Sequence, residues 1–130
     1  MVIIAVYGTL RKGGINNERF NLNLNYIAEY LGKTKITGFK LWDIQGLPYA
    51  EETLDDNDEI IVELYKINHT KTFWEINLME LTAGYFQDLT TIKIGKKEHD
   101  CLIYTTTICP ESIKEAKIIE GGDYNAYINS

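Results

Sequence analysis

The chain has 130 residues, 45% of them hydrophobic and 25% charged, and a net charge of −6 at pH 7. This composition predicts a single globular domain over residues 1–130 with a packed core. The acidic balance argues against a nucleic-acid partner. No apolar run approaches the roughly 18 residues of a membrane span, and the N-terminus does not resemble a signal peptide. With only two cysteines, Cys101 and Cys109, the sequence favours a cytoplasmic protein without a disulfide framework.

The first predicted element is a buried strand over residues 2–6, a run rich in β-branched residues. Gly8 ends this strand, and Gly13 and Gly14 open a flexible loop. A strand that ends in a glycine-containing turn directs backbone N–H groups out of the sheet edge, where they can bind a carboxylate or an oxyanion. The alternative is an ordinary turn after an N-terminal strand.

Five further strands are predicted from short β-rich runs that end at turn residues. They cover residues 33–37, 39–44, 59–67, 89–94 and 100–105. The last two flank Gly95 and predict a hairpin.

One helix is clearly predicted and a second is weak. Thr72-Phe73-Trp74-Glu75 has the pattern of a capping box, and Trp74, Leu78 and Leu81 follow as an apolar stripe. Gly84 is a plausible C-terminal cap, and residues 26–31 form the weaker helix candidate. The fold class is therefore α+β: a small mixed sheet, curled into a partly closed β-barrel, with one or two helices.

Glu80 is the candidate for acid–base chemistry. It follows Ile76 by four residues and Phe73 by seven, so the three side chains share one side of the helix. A carboxylate beside apolar side chains is partly desolvated, which raises its pKa and suits it to take up and return a proton. The alternative is a surface charge near the end of a helix.

Metal and cofactor motifs are not found. The acidic run at 55–59 lacks the spacing of a calcium loop, and His69 and His99 are isolated from other ligand residues. We therefore predict no metal and no cofactor. The C-terminal segment 121–127, which contains Tyr124, is either a turn docked on the core or the polar-aromatic wall of a pocket.

Several separated segments together resemble one family. Tyr7-Gly8-Thr9-Leu10-Arg11-Lys12-Gly13, followed by Asn16-Asn17, is similar to the turn after the first strand of the gamma-glutamylcyclotransferase superfamily. The resemblance is closest to the short members that resemble gamma-glutamylamine cyclotransferase. Glu80 falls where this family carries its catalytic glutamate. Supporting segments are Gly38-Phe39-Lys40-Leu41, Gly46-Leu47-Pro48-Tyr49, residues 62–67 and Gly122-Asp123-Tyr124.

The resemblance implies a lyase that needs no cofactor. In such an enzyme the α-amine of a γ-glutamyl compound attacks its own γ-carbonyl, and the products are 5-oxoproline and a free amine. Glu80 is the implied general acid/base. The implied substrate-binding residues are Tyr7, Gly8, Thr9, Leu10, Tyr85 and Tyr124. The implied partner is a small γ-glutamyl molecule, with no nucleic acid or membrane, and the protein is a monomer or small homo-oligomer.

The chain departs from the family pattern beyond Glu80. Leu81 stands where the family commonly has Gly, and Tyr85 lies one position before the usual tyrosine, with Phe86 in its place. Tyr124 replaces a Trp. These departures leave the carboxylate intact and affect the amine side of the pocket. Two alternatives follow: a non-catalytic module that binds a small metabolite, and a cyclotransferase for glutathione or γ-glutamyl amino acids. The Thr-Leu-Arg form of the turn favours γ-glutamyl amines as substrates over glutathione and γ-glutamyl amino acids.

Overall fold

A computed structural model describes residues 2–106 and 113–129 of the chain. The helices in these ranges are α1 (Ile15–Arg19), α2 (Thr70–Thr82) and α3 (Tyr124–Ile128), with a 3-10 turn at Glu120–Gly122. The strands are β1 (Val2–Val6), β2 (Ala28–Thr37), β3 (Phe39–Ile44), β4 (Leu47–Glu52), β5 (Glu59–Ile67), β6 (Phe86–Ile94), β7 (Lys97–Thr105) and β8 (Lys117–Ile118).

The strands form two sheets. The larger has the order β2-β5-β1-β7-β6, and the smaller has the order β4-β3-β8. β1 is the central strand: Ala5 lies opposite Leu64 of the antiparallel β5 and Ile103 of the parallel β7. The large sheet curls until its two edge strands approach each other, and a Cβ added to Gly32 of β2 would lie 3.0 Å from Ile94 of β6. The fold is thus a mixed α+β half-barrel, as the sequence predicts.

Two apolar clusters cover the two faces of the large sheet. Because successive side chains of a strand point to opposite faces, β1 contributes Ala5 to one cluster and Ile4 to the other. The first cluster is packed against the small sheet and includes Leu41. The second is covered by α2, which contributes Ile76, and by the loop after α1. These two layers hold the end of β1 and the end of α2 in fixed positions.

Most of the predicted strands are confirmed. β1, β3 and β5 have the predicted bounds, and β6 and β7 form the predicted hairpin around Gly95. The helix predicted at 26–31 is wrong, because Ala28 begins the ten-residue strand β2, which pairs with β5 along its whole length. Pairing with a strongly β-forming neighbour overrides the weak helical pattern of this segment.

Strand β4 is not predicted by the sequence, because Pro48 lies within it. Proline lacks an N–H donor and is tolerated only where a strand has an unpaired side. β4 meets this condition as an edge strand of the small sheet. The sequence also leaves out the five-residue helices α1 and α3, so the described ranges hold more helices than the one or two expected.

Helix α2 begins earlier than the capping box predicts. His69 is its N-cap residue, and the ring Nδ1 accepts a hydrogen bond from the Thr72 backbone N–H at 3.3 Å. The face toward the core carries Thr72, Ile76 and Asn77, whereas the apolar stripe of Trp74, Leu78 and Leu81 is exposed. The stripe prediction is therefore wrong about which face of α2 is buried. As predicted, Gly84 lies just beyond the end of α2, and its own φ of +95° is the left-handed angle that stops a helix.

The remaining sequence predictions concern membranes, metals and thiols. In residues 2–106 and 113–129, no helix has the length and apolar character needed to cross a bilayer. The same ranges contain no group of three His, Cys, Asp or Glu side chains arranged to hold a metal ion. Cys101 is a buried thiol in the first cluster, and burial raises its pKa to about 11. Cys109 lies outside the described residues.

Candidate active site

A cavity of about 220 Å³ lies where β1 ends, between the last turn of α2 and the start of β4. Six of the seven residues that the resemblance implies for the site line it. They are Tyr7, Gly8, Thr9, Leu10, Glu80 and Tyr85. The structure therefore brings together the N-terminal turn and the end of α2, which are about seventy residues apart in the chain.

The turn after β1 presents unused backbone donors. Its carbonyl groups are occupied: the Gly8 oxygen accepts from the Arg11 N–H at 3.0 Å, and the Thr9 oxygen accepts from the N–H groups of Asn16 and Asn17. Within the described residues, the N–H groups of Gly8, Thr9 and Leu10 have no protein acceptor. Successive free N–H groups in a turn form a concave site for an anion.

Gly8 is required at its position by a close contact and not by its backbone angle. A Cβ added to Gly8 would lie 2.5 Å from Cγ of Pro48. Since Cβ atoms in proteins essentially never come this close to another heavy atom, any larger residue would displace Pro48 or the turn itself. The contact therefore joins the turn after β1 to the first residues of β4 and shapes one wall of the cavity.

Glu80 lies in the last turn of α2 with its side chain half-buried in the cavity wall. Burial raises the pKa of its carboxyl from 4.5 to about 7. Ile76 and Phe73 share its side of α2, as the helical spacing predicts. Ile76 is a member of the second cluster, and Phe73 packs against that cluster. A carboxyl with this pKa exchanges a proton readily near neutral pH.

Two tyrosines of the cavity hold neighbouring backbone in place. The hydroxyl of Tyr7 donates to the Tyr104 carbonyl at 2.6 Å and accepts from the Ala50 N–H at 3.3 Å. Burial, followed by the charge of Glu80, holds the pKa of Tyr7 far above its ordinary value of 10. Tyr7 is therefore a neutral hydrogen-bonding group at any physiological pH.

Tyr85 reaches the cavity although it lies one position early relative to the family pattern. Its hydroxyl donates to the Pro48 carbonyl at 2.5 Å, and its ring stacks on Tyr49 with the centroids 4.8 Å apart. Its backbone N–H donates to the Glu80 carbonyl at 3.0 Å, in the turn that closes α2 around Gly84. Glu80 and Tyr85 are thus positioned by a single turn.

Sequence reasoning missed Tyr104, a residue of β7 that also lines the cavity. Its hydroxyl donates to the Asn77 side-chain oxygen at 2.7 Å, and Gln87 donates to the same oxygen at 2.8 Å. These bonds connect β6 and β7 to α2 behind Glu80. Alternation along the predicted strand could have placed Tyr104 on the α2 face, but no sequence signal relates it to Glu80.

Tyr124 does not line this cavity. Its side chain is buried in the first cluster, and its hydroxyl faces the Gly46 carbonyl at 3.4 Å. The C-terminal segment is a docked turn, since a Cβ added to Gly122 would lie 2.2 Å from the Glu59 carbonyl oxygen. Tyr124 therefore supports the loop before β4 from behind and lies outside the cavity that Glu80 faces.

Arg11 belongs to the same turn but points into the core. Its Nε lies 2.7 Å from a carboxylate oxygen of Glu63, and its Nη1 lies 2.8 Å from one of Asp123. Burial would raise the pKa of Asp123, but the hydrogen bonds from Arg11 and from the Ala126 N–H outweigh it and lower that pKa. Arg11 thus fastens the turn to β5 and to the C-terminal segment.

A second, larger hollow of about 710 Å³ is lined by the Asn-rich loop after α1 and by Lys12, Tyr30 and Tyr65. Two pairs of its side chains are engaged with each other: the Lys12 ammonium lies 3.8 Å from the Tyr30 ring centroid, and Asn17 donates to the Tyr65 hydroxyl. None of the predicted site residues lines this hollow. The smaller cavity is therefore the candidate active site.

The curled sheet and helix α2 enclose a small cavity that is lined both by a carboxyl and by a turn with free N–H groups, which is typical of an α+β domain that binds a small molecule. The chain belongs to the gamma-glutamyl cyclotransferase, AIG2-like family, whose pattern matches residues 4–126. This match covers nearly the whole sequence and includes both the turn after β1 and Glu80.

Two archaeal relatives are similar in sequence. One, from Pyrococcus horikoshii and provisionally named a gamma-glutamylcyclotransferase, is 37% identical over 95 residues, which is 73% of each chain. The other, from Methanocaldococcus jannaschii and named in the same way, is 31% identical over 129 residues, which is 98% of each chain.

Solved structures share the fold. The crystal structure of the Pyrococcus horikoshii protein matches with a TM-score of 0.75 at 30% identity, over 99% of this chain and 94% of that one. An AIG2-like protein from mouse matches with a TM-score of 0.73 at 20% identity, over 92% of this chain and 86% of that one. At the latter identity the likeness concerns the fold alone.

Proposed function

We propose that this protein is a gamma-glutamylamine cyclotransferase-like lyase, which converts a γ-glutamyl amine to 5-oxoproline and the free amine. The observation that carries the proposal is the placement of Glu80. This carboxyl, with its pKa raised to about 7, faces the same small cavity as the free N–H groups of Gly8, Thr9 and Leu10. Family membership supports the same reaction class.

In the proposed complex the turn after β1 binds the glutamyl group. Backbone N–H groups suit an anion, so Gly8, Thr9 and Leu10 hold the substrate α-carboxylate or the oxygen that becomes negative during the reaction. Pro48, which packs against Gly8, and Tyr85, which donates to the Pro48 carbonyl, form the adjoining wall and limit how far the glutamyl chain can extend. A folded glutamyl chain brings its α-nitrogen close to its γ-carbon, which lowers the entropic part of the barrier.

Glu80 carries the protons in this scheme. The ionised carboxylate takes a proton from the α-ammonium group, and the neutral nitrogen then attacks the γ-carbonyl carbon to form the new C–N bond. When the original amide C–N bond breaks, Glu80 returns a proton to the departing nitrogen. Two protons move in all from the α-nitrogen to the amine, and Glu80 can transfer them in turn. Because every step is a proton transfer or an acyl transfer, we propose that no cofactor takes part.

The proposal is tested by incubating the protein with a panel of γ-glutamyl amines, γ-glutamyl amino acids and glutathione, and measuring 5-oxoproline by mass spectrometry. We expect Glu80→Gln to lower kcat by about a hundredfold or more, as loss of a general acid/base does. Glu75 is exposed on the same helix, and Glu75→Gln is the matched control that should keep full activity. Undiminished turnover by Glu80→Gln would contradict the assignment. Ligand recovered unchanged from the wild-type protein would favour the non-catalytic binding module.

A further inference from the structure

We infer that the site selects γ-glutamyl derivatives of uncharged aliphatic amines, and rejects those whose leaving group carries a carboxylate or a second ammonium group. The inference rests on the proposed function and concerns the outer part of the same cavity. It follows from how polar, apolar and charged side chains are distributed between the floor of the cavity and its mouth.

The polar groups that the cavity offers to a ligand lie in its buried part, and its mouth is apolar. The buried lining includes the turn with free N–H groups, beside apolar side chains and the hydrogen-bonded hydroxyls of Tyr7, Tyr85 and Tyr104. The exposed lining is instead formed by Ile15, Leu47 and Ala83. Ile15 is 74% and Leu47 is 49% exposed, so two large apolar side chains face solvent at the rim. Such side chains lose their contact with water when an alkyl group is bound between them.

The size of the cavity places the leaving group at this rim. Its volume of about 220 Å³ is below the roughly 300–1,000 Å³ that is typical of ligand pockets. The γ-glutamyl group fills most of that space once its carboxylate is bound at the turn after β1. The carbon atoms of the amine therefore extend outward from Glu80 and lie between Ile15 and Leu47.

The charge of the lining disfavours a leaving group that carries a carboxylate. Among the described residues that line the cavity, Glu80 is the only charged side chain. A carboxylate on the leaving group would meet this negative group and no cation, so it would lose its hydration without a compensating partner. Arg11 is not available, because it is buried and paired with Glu63 and Asp123.

Arg19 is a cation that contacts a lining residue, Met79. Its Nη1 lies 3.8 Å from the sulfur of Met79, and its guanidinium lies 4.9 Å from the Phe20 ring centroid. It does not itself line the cavity. A leaving group with a distal ammonium finds no acceptor at Ile15, Leu47 or Ala83 either, because these side chains offer no oxygen or nitrogen.

The inference is tested with three γ-glutamyl compounds whose amine parts have the same chain length: butylamine, the diamine, and the amino acid with a terminal carboxylate. We expect kcat/KM for the butylamine compound to exceed each of the others by about tenfold or more. Leu47→Ala should lower kcat/KM for this compound about tenfold more than for the γ-glutamyl derivative of methylamine, which does not reach the rim.

Two further variants test the charge argument. Leu47→Lys places a cation at the rim and should raise kcat/KM for the carboxylate compound relative to the butylamine compound by about tenfold or more. Arg19→Gln should leave the preference for butylamine unchanged. Equal or faster turnover of either charged compound by the wild-type protein would overturn the inference while leaving the cyclotransferase activity in place. Preference for the carboxylate compound that is lost in Arg19→Gln would overturn it in favour of Arg19 as the receptor. Absence of 5-oxoproline from all compounds would overturn the proposed function itself.

Discussion

Arg11 and Glu63 form an ion pair across a distance of 2.7 Å with only 3% and 4% of their side chains exposed. Arg11 is the last residue of the turn after β1, and Glu63 lies in β5 opposite Val6 of β1. The second carboxylate oxygen of Glu63 accepts from the Lys12 N–H at 2.8 Å. The pair therefore fixes the position of the turn relative to the sheet without contributing a side chain to the cavity.

The first prediction concerns the stability that this pair provides. Arg11→Met leaves Glu63 buried without its cation, and removal of one partner from a buried pair costs about 3–5 kcal/mol of unfolding free energy. Urea unfolding measures the loss. The exposed pair of Lys35 and Glu59 is the control: its atoms are 3.2 Å apart, and Lys35→Ala should change the free energy by less than about 1 kcal/mol. Equal losses for the two variants would contradict the prediction.

The second prediction concerns the contact between Gly8 and Pro48. We expect Gly8→Ala to raise KM and to destabilise the protein by about 1–3 kcal/mol, as overpacking of a filled site does. Its Cβ would lie 2.5 Å from Pro48 Cγ, and the turn would move away from the substrate. Pro48→Ala removes Cγ, so the double variant should recover part of both losses. Strictly additive effects of the two substitutions on KM and on stability would show that the contact is unimportant.

The third prediction concerns the pH dependence of activity. Glu80 acts first as a base, so its ionised form is the active one. Because burial raises its pKa to about 7, kcat/KM should fall about tenfold per pH unit below that value and level off above it. The measurement is kcat/KM across the range from about pH 5 to pH 8.5. An acid limb centred near 4.5, the ordinary pKa of glutamate, would contradict the role of burial at this site.

The fourth prediction concerns the pH dependence of stability. The pKa of Glu80 is higher in the folded protein than in the unfolded chain. The protonated carboxyl therefore favours the folded state fully below pH 4.5, and this contribution to the free energy of unfolding is lost as the pH rises through about 7. Glu80→Gln cannot ionise, so the variant does not lose this stability. The variant should be more stable than the wild type by roughly 1–3 kcal/mol at pH 8 and about equal to it at pH 4. Chemical unfolding at both pH values measures this difference.

The control for this measurement is Glu75→Gln. Glu75 is exposed on the same helix, so its substitution should give no such pH-dependent gain. A Glu80→Gln variant that is less stable than the wild type at pH 8 would contradict the prediction. Ionisation of Glu80 should raise kcat/KM and lower the free energy of unfolding. The third and fourth predictions therefore test its role in catalysis separately from its effect on stability.

Strands whose pattern is local could be predicted from the sequence. β1 and β5 could be recognised from short runs rich in β-branched apolar residues. The hairpin of β6 and β7 could be recognised from the glycine at its turn. Glu80 could be selected because helical spacing relates it to Ile76, whose side chain is fully buried. These features depend on residues that are close together in the chain.

Features decided by distant partners could not be predicted. β2 begins at Ala28 because β5 is there to pair with it, and the local pattern indicates a helix instead. The apolar stripe of α2 misleads in the same way: Asn77 faces inward since Tyr104 and Gln87 supply its hydrogen bonds. Tyr104 reaches the cavity from the far end of the chain. The amphipathic pattern of α2 alone contains none of this information.

The central position of β1 in the sheet has a consequence for how the site comes into existence. β1 pairs with β5 and with β7, which lie about sixty and a hundred residues further along the chain. Contacts of such separation are slow to form, because long loops must close before pairing stabilises them. Refolding should therefore regain helical signal well before it regains turnover. During synthesis, the pocket cannot be complete until β7 has been made, so fragments that end before it should bind no substrate.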